Sequence, residues 1–164
     1  MKIGIIADTH ISEKTETIPQ EVLRAFETVD MIIHAGDLIS LNVMKQLKNI
    51  CPEVKAVYGN MDPREVRVAL AEKEIIKINN FKIGVTHGKG SPNQLIEFTT
   101  RVFKADNLDV IIFGHSHSAL NLKKGNILYF NPGSPTDKKF ALYNSYGIIT
   151  LGDTIEGEII KING

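Results

Sequence analysis

The stretch Val110-Ile111-Ile112-Phe113-Gly114-His115-Ser116-His117 decides how this chain is read. Four consecutive apolar residues describe a short buried strand of the kind found in parallel sheets covered on both faces. Two imidazoles spaced i, i+2 leave its C-terminal end, where open α/β sheets put their ligands. Packing seldom asks for such a pair, because histidine is only intermediate among residues in its tendency to be buried. A metal does ask for it, since neutral imidazole is the commonest protein ligand.

Working outward, the same design recurs. The run from Lys2 to Ala7 ends in Asp8-Thr9-His10, and that from Met31 to Ala35 ends in Gly36-Asp37. Val54 to Tyr58 ends in Gly59-Asn60-Met61-Asp62, and Phe81 to Thr86 ends in His87-Gly88. Five strand-like runs each deliver an Asp, Asn or His at one end, and four of the five histidines fall there. That outlines a dinuclear metal site. The fifth histidine, His34, reads as a buried ring bonded to backbone, with support of a neighbouring ligand as its other reading.

The alternation of elements gives the architecture. Pro19 opens a helical segment with Val22, Leu23, Phe26 and Val29 on one face. Ser40 caps a second helix carrying Val43, Met44, Leu47 and Ile50. With the strands between them this is a β-α-β-α-β series, hence a parallel sheet with right-handed crossovers. A polar loop separates His10 from the first helix. The second half changes style. Asn79-Asn80 is a two-residue hairpin signal, and Ser91-Pro92-Asn93-Gln94 is a capping box opening a helix with Leu95, Ile96, Thr99, Val102 and Phe103 on one face. Short strands follow from Leu120, then a tail of Tyr146 to Leu151 and Ile155 to Ile162. Two mixed sheets face to face with helices outside accommodate this, an α/β four-layer α-β-β-α sandwich formed by one domain over residues 1–164.

Composition bounds the function. Lys plus Arg and Asp plus Glu each number 19, so the net charge is zero and the basic excess of an extended nucleic-acid surface is absent. A processive nuclease is therefore disfavoured. The single cysteine, Cys51, excludes an intramolecular disulfide, reads as a small buried apolar residue and suits a reducing cytosol. No apolar run reaches membrane-spanning length, and none precedes a leader cleavage site. The expectation is a cytoplasmic protein with no membrane partner.

The ordered set Asp8-Thr9-His10, Gly36-Asp37, Gly59-Asn60-Met61-Asp62, His87-Gly88 and Gly114-His115-Ser116-His117 resembles the calcineurin-like metallophosphoesterase superfamily. The short length and the Asn131-Pro132-Gly133-Ser134 turn are similar to its small prokaryotic phosphodiesterase branch, to which the retromer subunit Vps29 is related. The resemblance runs over about residues 1 to 151. It implies that Asp8, His10, Asp37 and His117 hold one metal, and that Asp37, Asn60, His87 and His115 hold a second, with Asp37 bridging. A carboxylate suits a bridge between ions about 3.5–4 Å apart. A nitrogen and oxygen ligand set without thiolate suits divalent Mn²⁺ first, then Ni²⁺, Fe²⁺, Zn²⁺ or Co²⁺.

The activity so implied is hydrolysis of small phosphodiesters by a hydroxide activated between two metals, with Asn60 and Asp62 closest to the chemistry and Asp62 orienting a ligand imidazole through its free N–H. Many superfamily members carry His after the Asn of the Gly-Asn motif, similar to a proton donor for the leaving group. This chain has Met61, whose thioether has no proton to give, which argues against strong monoesterase activity. The alternative is a non-catalytic, metal-binding interaction scaffold of the Vps29 type, and the resemblance also implies a homodimer or higher homo-oligomer. Three smaller features read as structural first: Lys89 as a solvated turn, Arg64 and Arg67 as a solvated face, and Asn131 to Ser134 as a turn. Their alternatives are substrate contact for the three cations and pocket lining for the turn.

Overall fold

Residues 1–12 and 17–163 are described by the structure, a computed structural model, so residues 13–16 of the polar loop after His10 lie outside the described residues. Apolar runs build the first sheet. β1 (Lys2–Ile6), β2 (Met31–His34) and β3 (Val54–Ala56) are parallel, with Ile3 opposite Met31 and Ile32 opposite Val54. β9 (Ser145–Leu151) pairs antiparallel with β1, and β10 (Ile155–Lys161) with β9, giving the order β10-β9-β1-β2-β3.

The second sheet combines β4 (Lys73–Ile78), β5 (Phe81–Thr86), β6 (Val110–Ile112), β7 (Leu120–Lys124) and β8 (Ile127–Asn131) in the order β4-β5-β6-β8-β7. Its three inner strands are parallel and hairpins close both edges. The β4–β5 turn falls at Asn79-Asn80, where Asn79 takes φ +52°, a conformation asparagine tolerates.

Side-chain alternation along each strand sorts residues to opposite faces, which makes four layers. Ile3, Ile5 and Ile33 of the first sheet meet Ile83, Val85, Val110 and Ile112 of the second in a central core. On the outer face of the first sheet, Ile6 and Ile32 pack on Val22 and Phe26 of α1 (Gln20–Phe26) and Val43 and Leu47 of α2 (Leu41–Lys48). On the outer face of the second, Ile111 and Tyr129 pack with Leu95 of α4 (Leu95–Val102) and with Phe103 and Leu108. The fold is thus an α-β-β-α sandwich of two mixed sheets. Among the described residues no helix is long and apolar enough to cross a membrane.

Local signals hold where side chains enforce them. Ser40 Oγ accepts the Asn42 N–H at the start of α2, and Gln94 accepts from Ser91 ahead of a short 3-10 turn leading into α4. Cys51 is buried. A short helix, α3 (Arg64–Ala69), forms where the sequence reads as a solvated stretch. Six residues with one buried side chain, Val66, carry too little periodicity to be seen. β3 is also shorter than its apolar run, ending at Ala56, and Val57 continues only as an isolated bridge to Ala71.

Candidate metal centre

Stacking the sheets brings the loops after β1, β2, β3, β5 and β6 to one end of the sandwich, and hydrogen bonds tie them together. Asp8 Oδ2 accepts the His115 N–H at 2.9 Å, and Asp37 Oδ1 accepts the Met61 N–H at 2.7 Å. Two glycines let the chain approach so closely. A Cβ on Gly114 would lie 2.7 Å from Asp8 Oδ2, and one on Gly59 would overlap Asp37 Oδ1.

All seven expected ligand side chains meet here. Asp8 Oδ1 lies 3.8 Å from His10 Nε2, 3.8 Å from His87 Nε2 and 3.5 Å from His117 Nε2. Asp37 Oδ2 lies 3.6 Å from His10 Nε2 and 3.3 Å from His87 Nε2. Asn60 Oδ1 lies 3.1 Å from His87 Nε2 and 2.8 Å from His115 Nδ1. Two clusters of carboxylate and imidazole atoms result, Asp8 with His10 and His117, and Asp8 with Asp37 and His87. Asp8 therefore stands closer to the second cluster than the sequence implies.

Three observations fit this arrangement to divalent cations. Asp8 Oδ1 is buried without a hydrogen-bond partner among the described residues, a state that a carboxylate oxygen tolerates poorly. Asp8, His10, Asp37, His115 and His117 all have φ between 46° and 73°, a left-handed conformation costing of order 1–3 kcal/mol per non-glycine residue and characteristic of functional sites. Finally, the imidazoles are oriented from behind. His87 Nδ1–H donates to Ala35 O at 2.8 Å, His115 Nε2–H to Gly90 O at 3.0 Å, and His117 Nδ1–H to Asp137 Oδ2 at 2.6 Å. Each outer nitrogen then carries the ring proton, and the inner nitrogen turns a lone pair to the cluster. Inner lone pairs of His10 and His117 at 3.2 Å, and of His115 and Asn60 at 2.8 Å, are contacts that a shared cation would make favourable.

The electrostatics agree with that charge pattern. Burial disfavours the charged forms of His10 and His87, but Asp8 and Asp37 outweigh it and raise both above the ordinary histidine value. Burial would likewise raise Asp37, yet His87, the Met61 N–H and His10 hold it below the usual carboxylate range. The two carboxylates thus favour positive charge on the rings beside them.

Asp62 does something other than expected. Its carboxylate touches no imidazole; it accepts the backbone N–H groups of Asp37 at 2.9 Å, Ile39 at 2.7 Å and Gly59 at 2.7 Å. It splints the two loops that carry Asp37 and Asn60. Orientation of a ligand ring by a carboxylate falls instead to Asp137, which sequence reasoning missed. Asp137 also accepts the N–H groups of Lys139, Phe140 and Ala141, and these bonds with that of His117 outweigh burial and hold it at about 2. The only sequence signal was an Asp shortly after the Asn131-Pro132-Gly133-Ser134 turn.

His34 fills both of its readings. It is fully buried, its Nδ1 accepts the Gly36 N–H at 3.2 Å, and its Nε2 pairs with Thr9 Oγ1 at 3.1 Å, so it braces two ligand loops. Arg67 is exposed, in keeping with a solvated face, and its guanidinium also donates to the carbonyls of Asp62 and Asn60. The turn from Asn131 to Ser134 is buried and structural, with Ser134 Oγ donating to Asp8 O and Asn131 Nδ2 to Gly114 O. Lys89 is exposed and does not line the cleft. Above the cluster opens a cleft of about 840 Å³ lined by residues that include His10, Asn60, Met61, His115, His117 and Phe140.

The model of the calcineurin-like phosphoesterase superfamily domain matches residues 1–154. The chain belongs to this superfamily. Among superfamily relatives, a probable metallophosphoesterase of Methanocaldococcus jannaschii is 37% identical over 163 residues, covering 99% of this chain and 82% of the relative. A phosphodiesterase of the same organism is 30% identical over 148 residues, covering 81% and 83%. The crystal structure of Entamoeba histolytica Vps29 complexed with Zn²⁺ has a TM-score of 0.75 at 25% identity, covering 99% of this chain and all of that one. Phosphoesterase hydrolysis is the chemistry of the superfamily to which the chain belongs, and its acidic and imidazole groups suit a metal.

Proposed function

We propose that this chain hydrolyses small phosphodiesters with two divalent ions, Mn²⁺ foremost. One observation carries the reading: Asp37 Oδ2 approaches imidazoles of both proposed sites, His10 Nε2 at 3.6 Å and His87 Nε2 at 3.3 Å, more closely than the 3.8 Å at which Asp8 Oδ1 approaches the same two atoms, which supports Asp37 as the bridge. In this reading Asp8, His10, Asp37 and His117 hold one ion, and Asp37, Asn60, His87 and His115 hold the other. When bound, the ions supply Lewis acidity and lower the pKa of water towards ~7.

The chain's own residues do the rest. Asp137, Ala35 O and Gly90 O fix the tautomers of three ligand rings. Asp62 and Arg67 hold the Asn60 loop in register with Asp37, so that neither ligand shifts as charge builds on the phosphoryl oxygens. Met61, beside Asn60 and 59% exposed, offers no proton to a leaving group, which favours diesters with stable leaving anions over alkyl monoesters.

A second reading has a specific observation behind it. The similar Entamoeba histolytica protein is named Vps29 and was crystallised with zinc, so a filled metal site is also compatible with a scaffold. Turnover separates the two. Mn²⁺-loaded protein is expected to hydrolyse bis(4-nitrophenyl) phosphate, to stop on chelation and to recover with Mn²⁺. A protein that binds two ions per chain without turning over any diester would be the scaffold.

A further inference from the structure

The cleft above the ligands has two chemical characters. Its floor is polar, built from His10, Asp37, Asn60, His115 and His117. Its walls also carry two large apolar side chains open to solvent, Met61 at 59% and Phe140 at 76% exposure. Single exposed apolar residues are commonplace, but two lining one cleft over a charged floor mark a binding surface.

Phe140 is held there by the ligand-orienting machinery itself. Asp137 accepts the Phe140 N–H at 3.2 and 3.1 Å through its two oxygens while accepting the His117 Nδ1–H. The Phe140 ring meets the His117 ring edge to face, with centroids 6.0 Å apart and planes 78° apart. Any phosphoryl group resting among the ligands therefore has an aromatic ring one residue's width from His117, with most of that ring's surface open. Met61 adds a polarisable thioether, which makes favourable contacts with aromatic rings. An open mouth flanked by a flat ring and a thioether suits a planar partner; an alkyl chain would need a closed apolar groove to bury its length.

We infer that Phe140 and Met61 form a recognition subsite for a planar aromatic group, nucleobase or aryl, on the organic part of the phosphoester. The inference rests on the phosphoesterase reading above and adds its substrate class. Phe140 is a specificity residue that contacts substrate and holds no ligand atom of the metal cluster.

Mn²⁺-loaded protein titrated calorimetrically with three probes lacking a scissile ester bond tests it: methylphosphonate, phenylphosphonate and the methylenephosphonate analogue of adenosine monophosphate. Both aromatic probes are expected to bind about tenfold more tightly than methylphosphonate. Phe140→Ala, which truncates an exposed side chain, should shrink that advantage to within about twofold and leave methylphosphonate affinity unchanged, whereas Phe140→Trp should keep it. A further gain of the nucleoside probe over phenylphosphonate would assign the subsite to nucleobases, and equal affinity would assign it to aryl groups at large. If methylphosphonate binds but the aromatic advantage is absent, or survives Phe140→Ala, the inference is wrong while the phosphoesterase reading stands. If no phosphonate binds the loaded protein, the inference is wrong as well, and the phosphoesterase reading is decided separately by hydrolysis of bis(4-nitrophenyl) phosphate.

Discussion

Asp137 Oδ2 accepts the Nδ1–H of His117 at 2.6 Å, across 20 residues of chain, and so points the other nitrogen of that ring at Asp8. Carboxylates behind ligand imidazoles fix the tautomer and raise ligand basicity. Asp137→Ala should therefore weaken one metal site by about 10–100-fold with the fold retained. Chelator competition followed by circular dichroism reads both, and unchanged affinity would exclude the orienting role.

Bridging and terminal ligands should separate by stoichiometry. Asp37→Ala removes the carboxylate that faces both His10 and His87, and is expected to leave close to no tightly bound metal and no turnover. His87→Ala should leave about one ion per chain. Elemental analysis after gel filtration decides it. Two ions retained in Asp37→Ala would show that another residue bridges.

Met61 bears on substrate class. Met61→His puts a proton donor after Asn60, and general acid catalysis is typically worth ~10²–10⁴-fold for a poor leaving group. The ratio of kcat/KM for an alkyl monoester over an aryl diester should rise in the variant. An unchanged ratio with both metals bound would mean that another group limits monoester hydrolysis.

Asp62 is expected to act on stability. Its removal strands three backbone N–H donors, each worth about 1–3 kcal/mol when left unsatisfied. Asp62→Ala in metal-free protein should cost about 3–5 kcal/mol, lowering Tm by roughly 10 °C. A normal melting curve combined with lost turnover would return Asp62 to a direct chemical role.

His34 predicts the sign of a pH dependence. Burial, then the nearby His87 charge, pushes it down to about 3 from an ordinary 6.5, and protonating Nδ1 would also break its bond from Gly36. The unfolded chain thus binds a proton that the folded chain refuses, so this stability is present above about pH 6.5 and is lost as pH falls towards 3. In chelator-treated protein the slope between pH 6 and 4 should be steeper in the wild type than in His34→Gln by about 1.4 kcal/mol per pH unit. Equal slopes would show that His34 is charged in the fold.

Much of this protein is determined by its sequence alone. Apolar runs of four to six residues, each ending in Asp, Asn or His, dictate both the strands and the candidate ligands, because strand burial and affinity for a metal are properties of residue type and short spacing. Ser40, Asn79-Asn80 and Ser91 to Gln94 were legible for the same reason: caps and turns are local hydrogen bonds. What only the tertiary structure decided is who partners whom at the ligand loops. The motif suggests an imidazole partner for Asp62, yet its carboxylate serves three backbone N–H groups, while Asp137 takes the imidazole from a segment with no motif of its own. Arg67 likewise reaches the carbonyls of Asn60 and Asp62 from the short helix α3, which the sequence pattern does not reveal. These choices depend on how closely neighbouring strands, a short helix and the stacked sheets bring hydrogen-bonding groups together, a distance that no periodicity within one segment encodes.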